Sequence, residues 1–145
     1  MSLRIDFWNK LNNKQAAKNQ HYKSLLQLLQ VIRPGSLLLL RAPTDEPWFG
    51  QLIKRGQRFS TAKLRSFRGS RKRCHQNASC IWIMEQGLIA TGFAYTGPST
   101  LSPGAWHQHS WGLDYSTKTP RVIETTHKFE DYYGVKLDNE ECKCF

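Results

Sequence analysis

Long apolar segments are missing from this 145-residue sequence. No apolar run approaches the roughly 20 residues that a helix needs to cross a bilayer, so we expect no membrane-spanning helix and no membrane partner. The first part of the chain also lacks the apolar stretch of a secretory signal, which favours a cytoplasmic protein. Thiols are kept reduced in that compartment, and we therefore expect the four cysteines to be free rather than paired in disulfides.

Acidic residues are scarce in the first half of the chain. Residues 1–73 carry sixteen Lys and Arg against three Asp and Glu, whereas residues 74–145 carry five against eight. The segment Lys54–Arg73 contains nine basic residues and no acidic one. Such a segment attracts phosphates and acidic groups, so it could bind nucleic acid or an acidic protein partner. The alternative is a basic loop or helix face that is only solvated.

The spacing of the cysteines and histidines does not indicate a metal site. No Cys-x-x-Cys pair occurs, and Cys74 and Cys80 are six residues apart on a predicted helix, which turns them to different faces. His107 and His109 share one face of a predicted strand, which leaves a two-histidine site as an alternative. We predict neither a metal nor another cofactor.

The length of the chain is sufficient for one modest core and too short for two. Aromatic residues make up 12% of the sequence, so we expect a folded single domain over residues 1–145. It divides into four predicted segments: an N-terminal helical segment 1–35, a basic connecting region 36–73, a core 74–137 and a tail 138–145. We expect the last four residues, Cys142–Phe145, to be frayed.

The N-terminal segment is predicted to be helical. From Asp6 to about Ile32 apolar side chains recur at helical spacing, and Arg33-Pro34-Gly35 ends the pattern. The more polar stretch Asn9–Gln20 could form a separate helix. The apolar run Leu37–Leu40 fits either a short buried strand or a continuation of the helix.

The second half of the chain gives clearer signals. Cys74–Gln86 predicts a helix, and Leu88–Thr96 has the composition of a strand. Two further strands are predicted at about Gln108–Asp114 and Arg121–Thr126. One helix followed by successive strands indicates an α+β domain, in which the helix that bears Cys74 packs on a small antiparallel sheet.

Cys74 stands at the start of its predicted helix, where partial positive charge and unpaired N–H groups stabilise a thiolate. The preceding Arg71, Lys72 and Arg73 would lower the pKa of the thiol further if their side chains lie nearby. Alternatively, Cys74 is a small buried apolar residue.

His109 and Glu124 complete a predicted catalytic constellation with Cys74. If Tyr115–Lys118 forms a four-residue hairpin loop, Asp114 pairs with Thr119, and His109 then lies opposite Glu124 on the same face. Asp114 is the competing acid, but its odd spacing from His109 turns it to the opposite face. We therefore predict Cys74, His109 and Glu124 as the catalytic residues, in an arrangement of nucleophile, base and orienting acid.

The order of four short segments resembles transglutaminase-like proteins, a branch of the papain-like thiol hydrolases. In that pattern a helix-starting Cys is followed by a strand with a Gly-bearing turn, a His-Ala-Trp strand and an Asp-Pro-Thr strand. The corresponding segments, within residues 70–137, are Cys74-His75-Gln76-Asn77-Ala78, Ala90-Thr91-Gly92-Phe93-Ala94, His109-Ser110-Trp111 and Val122-Ile123-Glu124-Thr125-Thr126.

The resemblance implies a papain-like core in which Cys74 is the nucleophile, His109 the general base and Glu124 the acid. It also implies that the Cys74 backbone N–H contributes to an oxyanion hole. The departures from the family pattern are Glu124 for Asp, Ser110 for Ala and Thr125 for Pro. Candidates by residue type for a side-chain oxyanion donor are Trp48, Gln51 and Gln57.

The expected function is therefore a thiol hydrolase or acyltransferase that acts on a peptide, amide or protein substrate. One alternative is a basic module that binds nucleic acid or an acidic partner through Lys54–Arg73. Another is a family member that keeps the fold without catalysis.

Overall fold

The computed structural model describes residues 3–40, 46–84, 87–100, 103–116 and 118–145. In these residues the chain forms an α+β fold, as the sequence predicts. The helices are α1 (Leu3–Lys18), α2 (Gln20–Ile32), α3 (Glu46–Arg55), α4 (Cys74–Ile83) and α5 (Asn139–Cys144). The strands are β1 (Leu37–Leu39), β2 (Gln57–Phe59), β3 (Arg65–Ser66), β4 (Leu88–Thr96), β5 (Ala105–Asp114), β6 (Arg121–Glu124) and β7 (Asp131–Lys136).

The strands described form one mixed sheet. Its order is β2-β7-β4-β5-β6-β3, and β1 pairs with the first part of β5. The β1–β5 and β3–β6 pairs are parallel, and the other pairs are antiparallel. The prediction of a small antiparallel sheet is therefore wrong in size and in part in direction, because β1, β2 and β3 have only two or three residues each and show no readable periodicity.

The N-terminal segment forms two helices, and the break between them is local. Asn19 lies between α1 and α2, and its side chain accepts a hydrogen bond from the Tyr22 backbone N–H. Tyr22, Leu25 and Leu29 on α2 are fully buried in one core cluster with residues of β4, β5 and β7. The predicted apolar face of this helix is thus the face that packs on the sheet.

The segment 36–73 is not only a connecting region. It supplies α3 and the three short strands β1, β2 and β3, each of which is part of the sheet. Of the two alternatives for Leu37–Leu40, the structure has the strand, β1, at Leu37–Leu39. The edge strands β2 and β3 have three and two residues, and each carries an arginine, so they leave no alternating apolar pattern in the sequence.

The tail 138–145 is ordered, contrary to the prediction of a frayed end. Asp138 and Glu141 form a capping box at the start of α5, and Cys142 is buried beneath it. The spacing Asp-x-x-Glu is a readable helix-start signal, and it could have predicted this helix.

Helix α4 is positioned against β5 by close packing. The predicted helix is confirmed from Cys74 to Ile83, and residues 85–86 lie outside the described residues. A side chain at Gly112 of β5 would place its Cβ 2.8 Å from Ile81 Cδ1, so the glycine leaves room for the Ile81 side chain between the helix and the sheet.

One stretch of β5 is left open beside α4. Residues 105–107 pair with β1 and residues 112–114 pair with β6, and both partners lie on the side of β5 away from β4. Among the described strands, residues 108–111 are paired only with β4. The N-terminus of α4 therefore meets β5 where the sheet leaves an edge free.

A buried amide joins the N-terminal helix to the outer edge of β1. Asn12 is 3% exposed. Its side chain donates to the Leu38 carbonyl (2.8 Å) and to the Tyr22 hydroxyl (3.0 Å), and it accepts from the Leu38 N–H (3.1 Å). This pairing covers a strand edge that would otherwise expose its backbone groups.

We predict that Asn12→Ala lowers the free energy of unfolding by about 1–3 kcal/mol, because it leaves the buried polar groups of Leu38 without partners. Asn13→Ala is the matched control, since Asn13 is the adjacent exposed asparagine on the same helix. Urea denaturation followed by circular dichroism measures both variants. Equal stability of the two variants would contradict this role of Asn12.

Candidate active site

The structure brings the three predicted catalytic residues together. Cys74 is the first residue of α4 and is half-buried, whereas His109 of β5 and Glu124 of β6 are 4% and 2% exposed. Cys74 and His109 line the same cleft, and the interaction with the His109 ring is the largest cause of the lowered pKa of the Cys74 thiol. Both carboxylate oxygens of Glu124 lie 3.0 Å from His109 Nε2, which donates its N–H. Since Glu124 takes Nε2, Nδ1 is the ring nitrogen left for the thiol.

The predicted hairpin register between β5 and β6 is wrong by two residues. Asp114 pairs with Arg121 rather than with Thr119. A shift of two residues keeps every side chain on its face, because side chains alternate with a period of two along a strand. Glu124 therefore still reaches His109, but diagonally rather than from the directly opposite position.

Asp114, the competing acid, forms ion pairs with two arginine side chains. Its carboxylate accepts a hydrogen bond of 2.6 Å from Arg121 and lies 3.7 Å from Arg65. The hydrogen bond from Arg121, together with those from Ser116, lowers the pKa of Asp114 to about 2. Asp114 thus stabilises the end of the β5–β6 pair and is not part of the cluster around His109.

The Glu124 carboxylate is held by several donors besides His109. The Tyr132 hydroxyl donates at 2.6 Å and the Thr126 hydroxyl at 2.9 Å, and the backbone N–H groups of Thr125 and Thr126 donate at 3.0 Å. Burial alone would raise the pKa of Glu124, but the hydrogen bonds from His109 and Tyr132 outweigh it and lower this pKa. A buried carboxylate with this many donors stays ionised and keeps a fixed orientation.

The contacts of Cys74 favour the thiolate. Hydrogen bonds from His109 and then from His75 lower the pKa of the Cys74 thiol to about 5, with a smaller contribution from the Ser110 backbone N–H, and burial opposes them. Burial also lowers the pKa of His109, but the hydrogen bonds to Cys74 and Glu124 outweigh it and raise this pKa to about 9. Between these values the pair is a thiolate and an imidazolium.

His75 is a functional neighbour that sequence reasoning missed. Its Nδ1 is hydrogen-bonded to the Ser110 hydroxyl, which in turn lies 2.8 Å from the Thr91 hydroxyl. The ring of Phe145 packs on His75 with centroids 4.8 Å apart. Two features of the sequence could have indicated His75. One is its position next to Cys74, and the other is Ser110, which supplies a hydroxyl where the family pattern has alanine.

The loop before Cys74 is fastened on two sides. The backbone N–H groups of Phe67 and Gly69 donate to the carbonyls of Glu124 and Thr125, which prolongs the β3–β6 pairing. The Asn77 side chain then bonds both backbone groups of Ser70. Asn77 therefore anchors this loop to α4.

The start of α4 has no side-chain cap, because the residue at the cap position, Arg73, makes no capping hydrogen bond. Backbone N–H groups at such an end stabilise negative charge, first on the Cys74 thiolate and then on a carbonyl oxygen beside it. This position suits the oxyanion role that the resemblance implies for the Cys74 N–H.

An open cleft of about 1050 Å³ gives access to Cys74 and His109. The Phe129 ring forms part of its wall and packs on the His109 imidazole with centroids 4.7 Å apart. Its other lining residues are Arg68, Gly69, Arg71, Lys72, Thr96, His107, Gln108, Thr125, Thr126 and His127.

The upstream oxyanion candidates lie elsewhere. Trp48 and Gln51 belong to α3, and Gln57 belongs to β2, which β7 and β4 separate from β5. None of them lines the cleft, so residue type alone predicted these candidates wrongly. Gln108 is the one amide side chain among the described lining residues.

Two further predictions concern metals and membranes. In the described ranges, no group of three or more His, Cys, Asp and Glu side chains is arranged to hold a metal ion. None of the helices in the part of the chain that the structure describes has both the length and the apolar character required to cross a bilayer.

No protein-family model matches the sequence, and no curated protein or solved structure shows a significant match to it. The functional argument therefore depends on the geometry of the site.

We predict that Glu124→Gln slows alkylation of Cys74 at pH 6 by about tenfold or more. The loss of the carboxylate charge lowers the pKa of His109, so the thiolate is less stabilised and the pKa of Cys74 rises from about 5. A rise of about two units reduces the thiolate fraction at pH 6 about tenfold. Iodoacetamide labelling quantified by mass spectrometry measures the rate at Cys74, with exposed Cys80 as the reference in the same sample.

Glu140→Gln is the matched control, because the Glu140 side chain is 83% exposed and forms a surface ion pair with Lys143. Tyr132→Phe is a milder second variant, since it removes one donor to Glu124 without changing its charge. Unchanged labelling of Cys74 in a folded Glu124→Gln protein would show that Glu124 does not support the thiolate.

Proposed function

We propose that this chain is a thiol enzyme that attacks a carbonyl group with Cys74 and forms an acyl-enzyme. The observation that carries the proposal is that Cys74 and His109 line one cleft, with the His109 ring bonded on its other side to the buried Glu124 carboxylate. A nucleophile, a base and an orienting acid in this arrangement form the triad of acyl-transfer enzymes.

In the first step, the Cys74 thiolate adds to the carbonyl carbon of a peptide, amide or ester. The negative charge that develops on the carbonyl oxygen is stabilised at the N-terminus of α4. His109 gives its proton to the leaving amine or alcohol, and the bond between that group and the carbonyl carbon breaks. The product is a thioester of Cys74, and His109 is left neutral.

In the second step, neutral His109 takes a proton from water or from an amine, which attacks the thioester carbonyl. The carbon–sulfur bond breaks, and the thiolate and the imidazolium are restored. Glu124 holds the ring by Nε2 in both steps and keeps Nδ1 towards the sulfur. Water as acceptor gives a hydrolase, and an amine gives an acyltransferase.

The arrangement of elements supports a papain-like or transglutaminase-like core for this site. Cys74 begins α4, which packs on the sheet. His109 lies on β5, the second strand after that helix, and Glu124 lies on β6, the third. Glu124 in place of aspartate and Ser110 in place of alanine are accommodated by the contacts to Tyr132 and His75.

The alternative of a nucleic-acid or acidic-partner module depends on the basic segment Lys54–Arg73, but part of its charge is already paired. Arg55 bonds Glu141, Arg58 bonds Asp131 and Arg65 lies 3.7 Å from Asp114. These three side chains fasten the segment to the second half of the chain. The alternative of a catalytically silent protein keeps the fold but predicts no acyl-enzyme.

We predict that an activated ester such as p-nitrophenyl acetate forms a thioester at Cys74, because the thiolate there is nucleophilic at neutral pH. Acylation should rise as the pH increases through about 5, where Cys74 ionises, and then level off, because p-nitrophenolate leaves as the anion and needs no proton from His109. Intact-mass spectrometry with and without hydroxylamine measures the adduct.

Cys80→Ser is the matched control, since Cys80 lies on the same helix and is exposed. The adduct should persist in Cys80→Ser, disappear in Cys74→Ala and form much more slowly in His109→Ala. Adducts spread over all four cysteines, or acylation of Cys74 that is unaffected by His109→Ala, would reject the proposal.

A further inference from the structure

The cleft that leads to Cys74 has an uneven distribution of charge. Arg68, Arg71 and Lys72 line it, together with three histidines, and none of the lining residues that the structure describes is Asp or Glu. All three cations are exposed. Glu124 is the carboxylate nearest to the reacting groups in the described chain, and it is buried behind His109 with its oxygens occupied by donors.

The basic segment therefore divides into two sets of cations with different surroundings. Arg55, Arg58 and Arg65 have carboxylate partners within this chain. Arg68, Arg71 and Lys72 line the cleft that contains the nucleophile. A net positive wall in a concave site raises the local concentration of anions and orients them.

These three cations are held on an anchored loop rather than on a free one. Gly69 and Ser70 between them are bonded to Thr125 and Asn77. Lys72 has a φ of 57°, in the left-handed region that non-glycine residues seldom adopt. A backbone that is fixed by two neighbours can hold such a conformation, and it presents the side chains at a constant place beside Cys74.

The cations are not required to make the thiolate. The low pKa of the Cys74 thiol comes first from the hydrogen bonds to His109 and His75, and burial opposes them. A wall of positive charge that the nucleophile does not need is available to bind a ligand. Three cations on one side of an open cleft suit a chain with several negative groups better than a single small anion.

We propose that the cleft takes an acidic peptide, whose carboxylates bind Arg68, Arg71 and Lys72 and so bring a neighbouring carbonyl to Cys74. This inference names the substrate class of the proposed thiol enzyme and rests on that function for its chemistry. The binding step itself needs no reaction. The Phe129 ring also lines the cleft and offers an apolar contact to a peptide side chain.

The test uses the full-length protein with Cys74→Ala, so that binding is measured without turnover. Fluorescein-labelled decapeptides of matched sequence, one with Glu at alternate positions and one with Gln at the same positions, are titrated by fluorescence anisotropy at low and at physiological salt. We expect the acidic peptide to bind more tightly, with an affinity that falls as salt screens the ion pairs.

The cleft variant Arg68→Gln, Arg71→Gln, Lys72→Gln should weaken binding of the acidic peptide by about tenfold, because three modest ion pairs act together. The charge-matched control, Lys10→Gln, Lys54→Gln, Lys63→Gln, removes three exposed cations that do not line the cleft, and its affinity should stay within about twofold of the parent.

Equal affinity for the two peptides, absence of binding of the acidic peptide, or equal losses in the cleft and control variants would overturn the proposal. Tighter binding of a single-stranded oligonucleotide with the same number of charges would also overturn it, in favour of nucleic acid. Because Cys74 is absent from the protein tested, failure here leaves the acyl-enzyme experiment valid, and failure of that experiment leaves this binding result valid.

Discussion

The buried pair of His109 and Glu124 is the interaction on which the rest of the site depends. A carboxylate that is 2% exposed is costly unless donors surround it, and Glu124 has donors in His109, Tyr132 and Thr126 as well as two backbone N–H groups. With its charge held there, the imidazole stays protonated and stabilises the Cys74 thiolate. The Glu124 carboxylate thus stabilises the His109 imidazolium, and the imidazolium stabilises the Cys74 thiolate. Each charge reduces the free-energy cost of burying the next one.

The sheet sets the positions of these charges. Between its pairings with β1 and β6, strand β5 leaves residues 108–111 with a free edge in the described part of the sheet. Helix α4 begins at this edge, and Gly112 of β5 leaves room for the Ile81 side chain where the helix packs on the strand. Cys74 can therefore meet the His109 ring, while its neighbour His75 reaches the hydroxyl of Ser110. The cleft cations belong to the loop that leads into the same helix.

The sequence predicted the long elements, because each has a clear local pattern, and the predicted contact between His109 and Glu124 is present in the structure. The helix starting at Cys74 and the strand Leu88–Thr96 have clear composition, and the face of Glu124 survived a two-residue error in register because parity is conserved. The short strands β2 and β3 depend instead on pairing with β7 and β6, which are distant from them in the sequence. Such contacts have no local signature, so the sequence could not reveal them.

The central claim, that Cys74 and His109 form a thiolate–imidazolium pair, is tested most directly by the ultraviolet absorbance of the thiolate near 240 nm. The difference between the wild-type protein and Cys74→Ala is titrated from acid to alkaline pH. The account predicts an absorbance step at a pH of about 5, well below the ordinary range of a cysteine thiol. A step in the difference titration near pH 8.5 or above, the range of an unperturbed thiol, would contradict it.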